Sequence, residues 1–359
     1  MKIALMSRWN TACGVSIHAE FVGREWVKKG HALTVFAPVE TRDGKERSVE
    51  TKDEDYVVRN YSFRDLSVPF RSKEILFDPK PLLECDYEIF VVENLEKMPI
   101  KELLKVYPKI REKARTVLVI HEGSLPPNPD FYRFEWDRVV CFDERFKTLL
   151  KFALPPDKID IIPFPCHPIA KGDKEKARRA LDLPLDKKII FTYGFRFENF
   201  LPVLPLLEEL AGRYPLMCKV LMTRNDVYRI LKPILEQRFE FLRMSEEVPS
   251  IEKLYTYLHA SDALLGYRGW AYRAVVSSVV YTCLGSGCPI VYSDCDYVSM
   301  LGDEILKYAN EEELRQKLIR VFEGGESLSR ALGAAERYVK NNSSDKIAQR
   351  FVDLFEELL

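Results

Sequence analysis

The chain has 359 residues, 47% of them hydrophobic, enough for sizeable cores and, at roughly 100–200 residues per domain, for two domains. Its 54 Lys and Arg against 55 Asp and Glu leave a net charge of −1, which excludes the cationic excess of a dedicated nucleic-acid binder, so any anion must be held by a few local groups. No run approaches the ~20 apolar residues that span a bilayer, MKIALMSRWN turns polar too soon for a signal peptide, and eight cysteines without a CxxC indicate neither a zinc site nor a redox pair. The expected location is therefore cytoplasmic.

In chain order, residues 1–165 alternate short β-rich runs with amphipathic segments, the pattern of a parallel sheet with helices on both faces. The strands are expected at 2–7, 32–38, 56–62, 87–94, 115–123 and 137–144. Between the first two lies a helix with Val15, Ala19, Val22 and Trp26 on one face, closed by Gly30. Five prolines in 154–172 break helix and ladder alike and predict an interdomain linker. The alternation then restarts, with strands expected at 187–194, 217–224, 239–244, 262–268 and 288–294 and helices at 201–213, 226–238, 250–258 and 278–286. From about 310 onward three helices follow, the last with Ile347, Phe351, Leu354 and Leu358 in one stripe. The fold class is thus α/β, two doubly wound Rossmann-like domains facing a cleft, with a helical C-terminal tail. The boundaries read as 1–165, 166–340 and a final helix 341–359 packing back on the first domain. In open α/β sheets ligands sit beyond the carboxyl ends of the strands, so that end is the default site.

The first strand-to-helix turn, SRWNTACGVSIHAEF, carries Gly14 at the helix start but no GxGxxG, and no GxxxxGK[ST] occurs anywhere. This disfavours nicotinamide dehydrogenases and removes P-loop NTPases. A glycine at a helix start is commonly a plain turn residue, and it also lets a ligand approach the positive helix end. Asp294 and Asp296 imitate a metal-binding DxD, but a turn after a strand explains them better. High charge with only three glutamines hints at a thermophilic source, and 16 glycines fall short of the usual ~7%.

The run CGVSIHAEFVGREWVKKGHALTVFAP (13–38) resembles the N-terminal signature of GT-B glycosyltransferases of the family 4 type. VLVIHEG (117–123), IIFTYGFRFENF (189–200), LYTYLHASDALLGY (254–267) and LGSGCPIVYSD (284–294) resemble that family's later segments in the same order. The resemblance implies an acceptor-binding N-terminal domain and a C-terminal domain that binds a nucleotide sugar as co-substrate, with no other cofactor. Sugar transfer is then expected to be retaining and metal-independent, with a carbohydrate, lipid-linked or small-molecule acceptor. It makes His121 the candidate catalytic residue, His18 and Glu122 candidates on the acceptor side, and Gly14, Gly194 and Arg196 candidates for the donor, to which Arg273, Ser277 and Ser278 are added as substitutes for residues that the family has and this chain lacks.

The departures are as informative. Counted back from Pro289, the family's two glutamates eight apart fall on Ala274 and Thr282, the glycine-rich loop between them reads VVSSVVY, and the lysine expected after Arg196 is Leu201. A working transferase needs substitutes: hydroxyls and N–H groups of Ser277 and Ser278, with charge from Arg196, Arg268 and Arg273. Otherwise those serines are helix caps and those arginines solvated surface. The alternatives are a non-catalytic GT-B-like binding protein and a nucleotide-sugar epimerase, the latter requiring carboxylates that this register does not supply. Arg8, Arg24, Lys28 and Lys29 lie near the first helix, a basic face interrupted by Glu20 and Glu25, which leaves peripheral contact with anionic lipid open.

Overall fold

In the computed structural model, residues 1–39, 52–62, 76–194, 200–222 and 226–359 are described. They form two compact units, one of Met1–Pro165, Arg273–Ser278 and Ser344–Leu359, the other of Cys166–Tyr272 and Val279–Ser343.

The first unit opens with β1 (Lys2–Met6), α1 (Gly14–Lys28), β2 (Ala32–Pro38) and β3 (Val57–Tyr61). It continues with α2 (Lys80–Glu84), β4 (Ile89–Glu93), α3 (Ile100–Lys113), β5 (Arg115–Val119), β6 (Arg138–Cys141), α4 (Glu144–Leu150) and β7 (Ile159–Ile161). All seven strands are parallel, in the order β3-β2-β1-β4-β5-β6-β7. Strands covered by helices on both faces read as unbroken apolar runs, and β1, β4 and β5 are buried apart from the first residues of β1 and β5. Two sequence expectations need correction. The strand tips predicted up to residues 123 and 144 end sooner, at Val119 and Cys141, because the residues beyond leave the ladder to form the turns of the site. The proline-rich 154–172 segment is not a plain linker, because Ile159–Ile161 pairs with β6 as an edge strand, where flanking prolines cost no ladder bond.

Helix α1 forms as its pattern requires. Cys13 caps its first turn, Ala19, Val22 and Trp26 are buried with Val15 half-buried, and Gly30 ends it at φ +87° with the His31 N–H returning to the Trp26 carbonyl. The last helix, α12 (Ser344–Leu358), lies in this unit and lays Phe351 and Phe355 against Trp26, at ring-centroid distances of 5.8 and 5.5 Å.

The second unit runs α5 (Lys174–Ala180), β8 (Lys188–Tyr193), α6 (Leu204–Arg213), β9 (Leu216–Met222), α7 (Asp226–Arg238), β10 (Leu242–Glu246), α8 (Ile251–Ala260) and β11 (Ala263–Gly266). After α9 (Ser278–Cys283), whose first residue counts with the first unit, come β12 (Ile290–Ser293), β13 (Leu306–Tyr308), α10 (Glu311–Glu323) and α11 (Glu326–Asn342). Its six parallel strands are ordered β10-β9-β8-β11-β12-β13. The expected helix 278–286 stops at Cys283 and tightens into a 3-10 turn that ends on Gly287 at φ +76°. The short strand β13 lies outside the predicted set, three residues being too few for a legible period. No helix among the described residues is long and apolar enough to cross a membrane.

Candidate functional site

In both sheets the strand order reverses at the third neighbouring pair, β1 beside β4 in the first and β8 beside β11 in the second. Loops diverge there, and open α/β sheets bind ligands beyond those carboxyl ends.

At the switch point of the first sheet three titratable groups converge. Glu93 ends β4 fully buried, and each of its oxygens accepts from an imidazole: Oε1 from His18 Nδ1 at 2.9 Å, Oε2 from His121 Nε2 at 3.3 Å, with Ser7 Oγ also donating to Oε2 at 3.3 Å. Burial alone would raise the carboxyl's pKa. The charge of His18 and the hydrogen bonds from His121 and His18 outweigh it and hold the group at about 2. His121, just past β5, is pushed below its ordinary value, chiefly by burial. His18 comes from the second turn of α1, fully buried, its ring 5.3–5.9 Å from those of Phe142, Phe164 and Phe351.

His18, Glu93 and His121 offer ligand atoms within 4.8 Å of one another, the composition of a two-histidine, one-carboxylate metal set. The atoms that face one another are already spent on each other, since His18 Nδ1 and His121 Nε2 hydrogen-bond the two Glu93 oxygens at 2.9 and 3.3 Å, and His18 Nε2 has no partner among the described residues. In this structure the trio is a hydrogen-bonded relay.

Glu122 is also buried, and its carboxylate accepts from the N–H groups of His121 and Glu96, both at 2.9 Å, and from Asn94 Nδ2 at 3.2 Å. Burial raises its pKa, partly offset by those N–H bonds. In this structure it fastens the left-handed Asn94 turn to the end of β5.

The segment Arg273–Ser278 lies on the same unit. Its Ala274 N–H donates to the Gly123 carbonyl at 3.1 Å, and Arg145, paired with Asp143, donates to the Val275 carbonyl at 3.0 Å. A Cβ on Gly123 would strike the Ala274 carbonyl and the aliphatic stem of Arg273. A Cβ on Gly14 would lie 3.1 Å from Ser278 Oγ. The fold thus brings Gly14 to Ser278, and Arg273 to the loop that carries His121. Ser277 is buried and Arg273 exposed.

In the second unit Gly194 leaves β8 at φ +79°, and a Cβ there would come within 2.6 Å of Val279 Cγ2, so only glycine fits between strand end and α9. Arg196 lies outside the described residues. Arg268 stacks its guanidinium over Tyr297 at 4.7 Å. Asp296 spends its carboxylate on the N–H groups of Ala271 and Tyr272, and Asp294 sits 3.8 Å from Lys307. Thr282 is buried, and its hydroxyl oxygen has no hydrogen-bond partner among the described residues.

Of the basic residues near α1, Arg8 is buried, Arg24 is bonded to Glu20, Glu54 and Asn10, and Lys28 pairs with Glu25; the pairs with Glu20 and Glu25 follow helical spacing, whereas Glu54 comes from loop 52–56, which that spacing does not show. Glu93, the centre of the relay, was not singled out in the sequence. Its only signal is a lone acid closing the apolar run IFVV.

No family model matches the chain. Solved structures match it over its full length. A glycosyltransferase from Rickettsia africae ESF-5 is 15% identical, with a TM-score of 0.70 over 99% of this chain and 98% of that one. Anabaena Alr3699/HepE, solved with UDP and with UDP and glucose, is 13% identical at 0.67 over 99% and 100%. The N-terminal domain of Candida albicans trehalose-6-phosphate phosphatase is 10% identical at 0.64 over 99% and 96%. With two parallel sheets of seven and six strands flanked by helices, the chain has the fold of the GT-B glycosyltransferases.

Proposed function

We propose that the protein is a glycosyltransferase that moves a sugar from a nucleotide-sugar donor to a carbohydrate, lipid-linked or small-molecule acceptor, with retention and without a metal ion. The reading is carried by the convergence of His18, Glu93 and His121 at the switch point of the first sheet, in a fold whose whole length resembles glycosyltransferases, one of them solved with UDP. In this reading the first unit receives the acceptor and the second the nucleotide. Transfer breaks the bond between the anomeric carbon and the diphosphate oxygen, and the electron pair leaves with the nucleoside diphosphate. That growing charge needs fixed dipoles and cations. On the second unit Gly194 admits the diphosphate to the backbone and Arg196 supplies charge, and on the first His121 hydrogen-bonds a sugar hydroxyl, with Arg273 offering charge and Ser277 and Ser278 hydroxyls.

One observation favours the non-catalytic alternative. Ala274 and Thr282 stand where the resembled family has glutamates, Ala274 has no polar side chain, and the Thr282 hydroxyl is buried. Differential scanning fluorimetry with UDP-, GDP- and ADP-sugars separates the readings. The transferase is expected to gain melting temperature with one nucleotide class, to lose that gain in Arg196→Ala, and to release nucleoside diphosphate. No shift with any of the three overturns it in favour of the binding protein.

A further inference from the structure

Glu93 is unusual among the buried acids of the first unit, because it faces two imidazoles and no arginine or lysine in the bonds that hold it. An ionised carboxylate only accepts, so every group bonded to it must donate. His121 therefore carries a proton on Nε2 and His18 one on Nδ1. A neutral His121 with its proton on Nε2 has a bare Nδ1, a lone-pair acceptor and not a donor. The side chain keeps 8% of its surface exposed, at the carboxyl end of β5, whereas the side chains of His18 and Glu93 have none. His121 is thus the member of the trio that meets a ligand, and the other two lie behind it.

We propose that Glu93 is a positioning residue: it fixes His121 in the tautomer protonated on Nε2, so that Nδ1 accepts a hydrogen bond from a substrate hydroxyl. His18 completes the device by occupying the second carboxylate oxygen, which stops the carboxylate from rotating away. The three residues come from separate elements, α1, the end of β4 and the loop after β5, so the tautomer is set by tertiary packing. The consequence for specificity is chemical. The group that His121 recognises must be a hydroxyl or another N–H or O–H donor, and a ligand that offers only an acceptor there is rejected because two lone pairs then face each other. This inference rests on the transferase reading for its substrate hydroxyl, while the tautomer stands on the geometry alone.

The test uses the intact protein labelled with 15N only at histidine, of which the sequence has five. Long-range proton–nitrogen correlation spectra at neutral pH report each tautomer, and His121→Asn identifies the signal. The expected result is His121 protonated on Nε2 alone. A His121 signal protonated on Nδ1, or on both nitrogens, overturns the inference, as does loss of the Nε2 proton on addition of Zn2+ alone. Glu93→Gln presents one donor where the carboxylate accepted, so it should mix the His121 tautomers and lower kcat about 10- to 100-fold with the donor KM changed less than about 3-fold. An unchanged tautomer in that variant also overturns the inference, and if the variant fails to fold, the wild-type spectrum still decides. The two readings fail separately. A His121 protonated on Nε2 with no nucleotide-sugar shift removes the transferase and keeps the tautomer, whereas a nucleotide-sugar shift with the opposite tautomer removes the inference and keeps the transferase.

Discussion

A single carboxylate sets the pH behaviour expected of the first unit. Glu93 titrates near 4.5 when unfolded and at about 2 when folded, so its stabilisation is present above pH 4.5 and is lost as pH falls from there toward 2. The contribution is on the order of 3 kcal/mol. Glu20 and Glu122, raised by burial, act with the opposite sign and gain relative stability on acidification. Comparison with Glu93→Gln isolates the first effect. The melting-temperature gap between wild type and variant should be widest above pH 5 and close as the pH falls from 4.5 toward 2. A gap that stays constant would mean that the carboxylate charge is not what the variant removes. At Gly194 the constraint is steric. Gly194→Ala places a side chain at φ +79° and 2.6 Å from Val279 Cγ2, so chemical denaturation should show a loss of about 1–3 kcal/mol, with nucleotide-induced stabilisation falling alongside.

Among the elements, α1 carries the most: its first turn holds Gly14, its second His18, and its fourth Trp26. Trp26 is fully buried, donates Nε1–H to the Ala348 carbonyl at 3.2 Å and meets two phenylalanines of α12. Trp26→Ala should cost about 3–5 kcal/mol in denaturant melts, and Trp26→Phe much less, because volume counts for more than the hydrogen bond. The strap Arg273–Ser278 is held by two backbone carbonyl contacts and by Gly123. Gly123→Ala strikes the Ala274 carbonyl and should release it, read as faster hydrogen exchange confined to residues 121–124 and 273–278. Exchange unchanged across both stretches would show that the strap does not depend on that close approach. Helix α1 was legible because period, cap and glycine stop agree. The strap was not, since its partners lie about 130–150 residues away and no local period encodes them.

Over the whole molecule, a net charge of −1 offers no general attraction for an anion, so the proposed nucleotide binding rests on a few local groups. The C-terminal helix ties the end of the chain to its beginning. Three of the four tryptophans, Trp9, Trp26 and Trp136, lie buried in the first unit, whereas Trp270 of the second is half exposed. Ending the chain at Ser343 should therefore lower the fluorescence-detected melting temperature strongly. Circular dichroism, which reports helices of both units, should show a biphasic transition with a second phase near the wild-type value. A single, unshifted transition would show that α12 is dispensable to α1.

The sequence by itself determined two doubly wound units, the positions of most strands along the chain, the glycine that ends α1 and the three closing helices, because apolar period, helix stops and turn chemistry are local and covalently encoded. It also pointed to His121 and Gly194 at strand ends. Only the tertiary structure decided what those positions face. Glu93 reads in the sequence as one residue of a strand expected at 87–94, and becomes the centre of a relay when α1 and the residues after β5 carry imidazoles to its two oxygens. Arg8 reads as surface charge and is buried. The physical reason is common to both: partners distant in sequence are brought together by sheet order, and charge and hydrogen-bond complementarity leave no period along the chain.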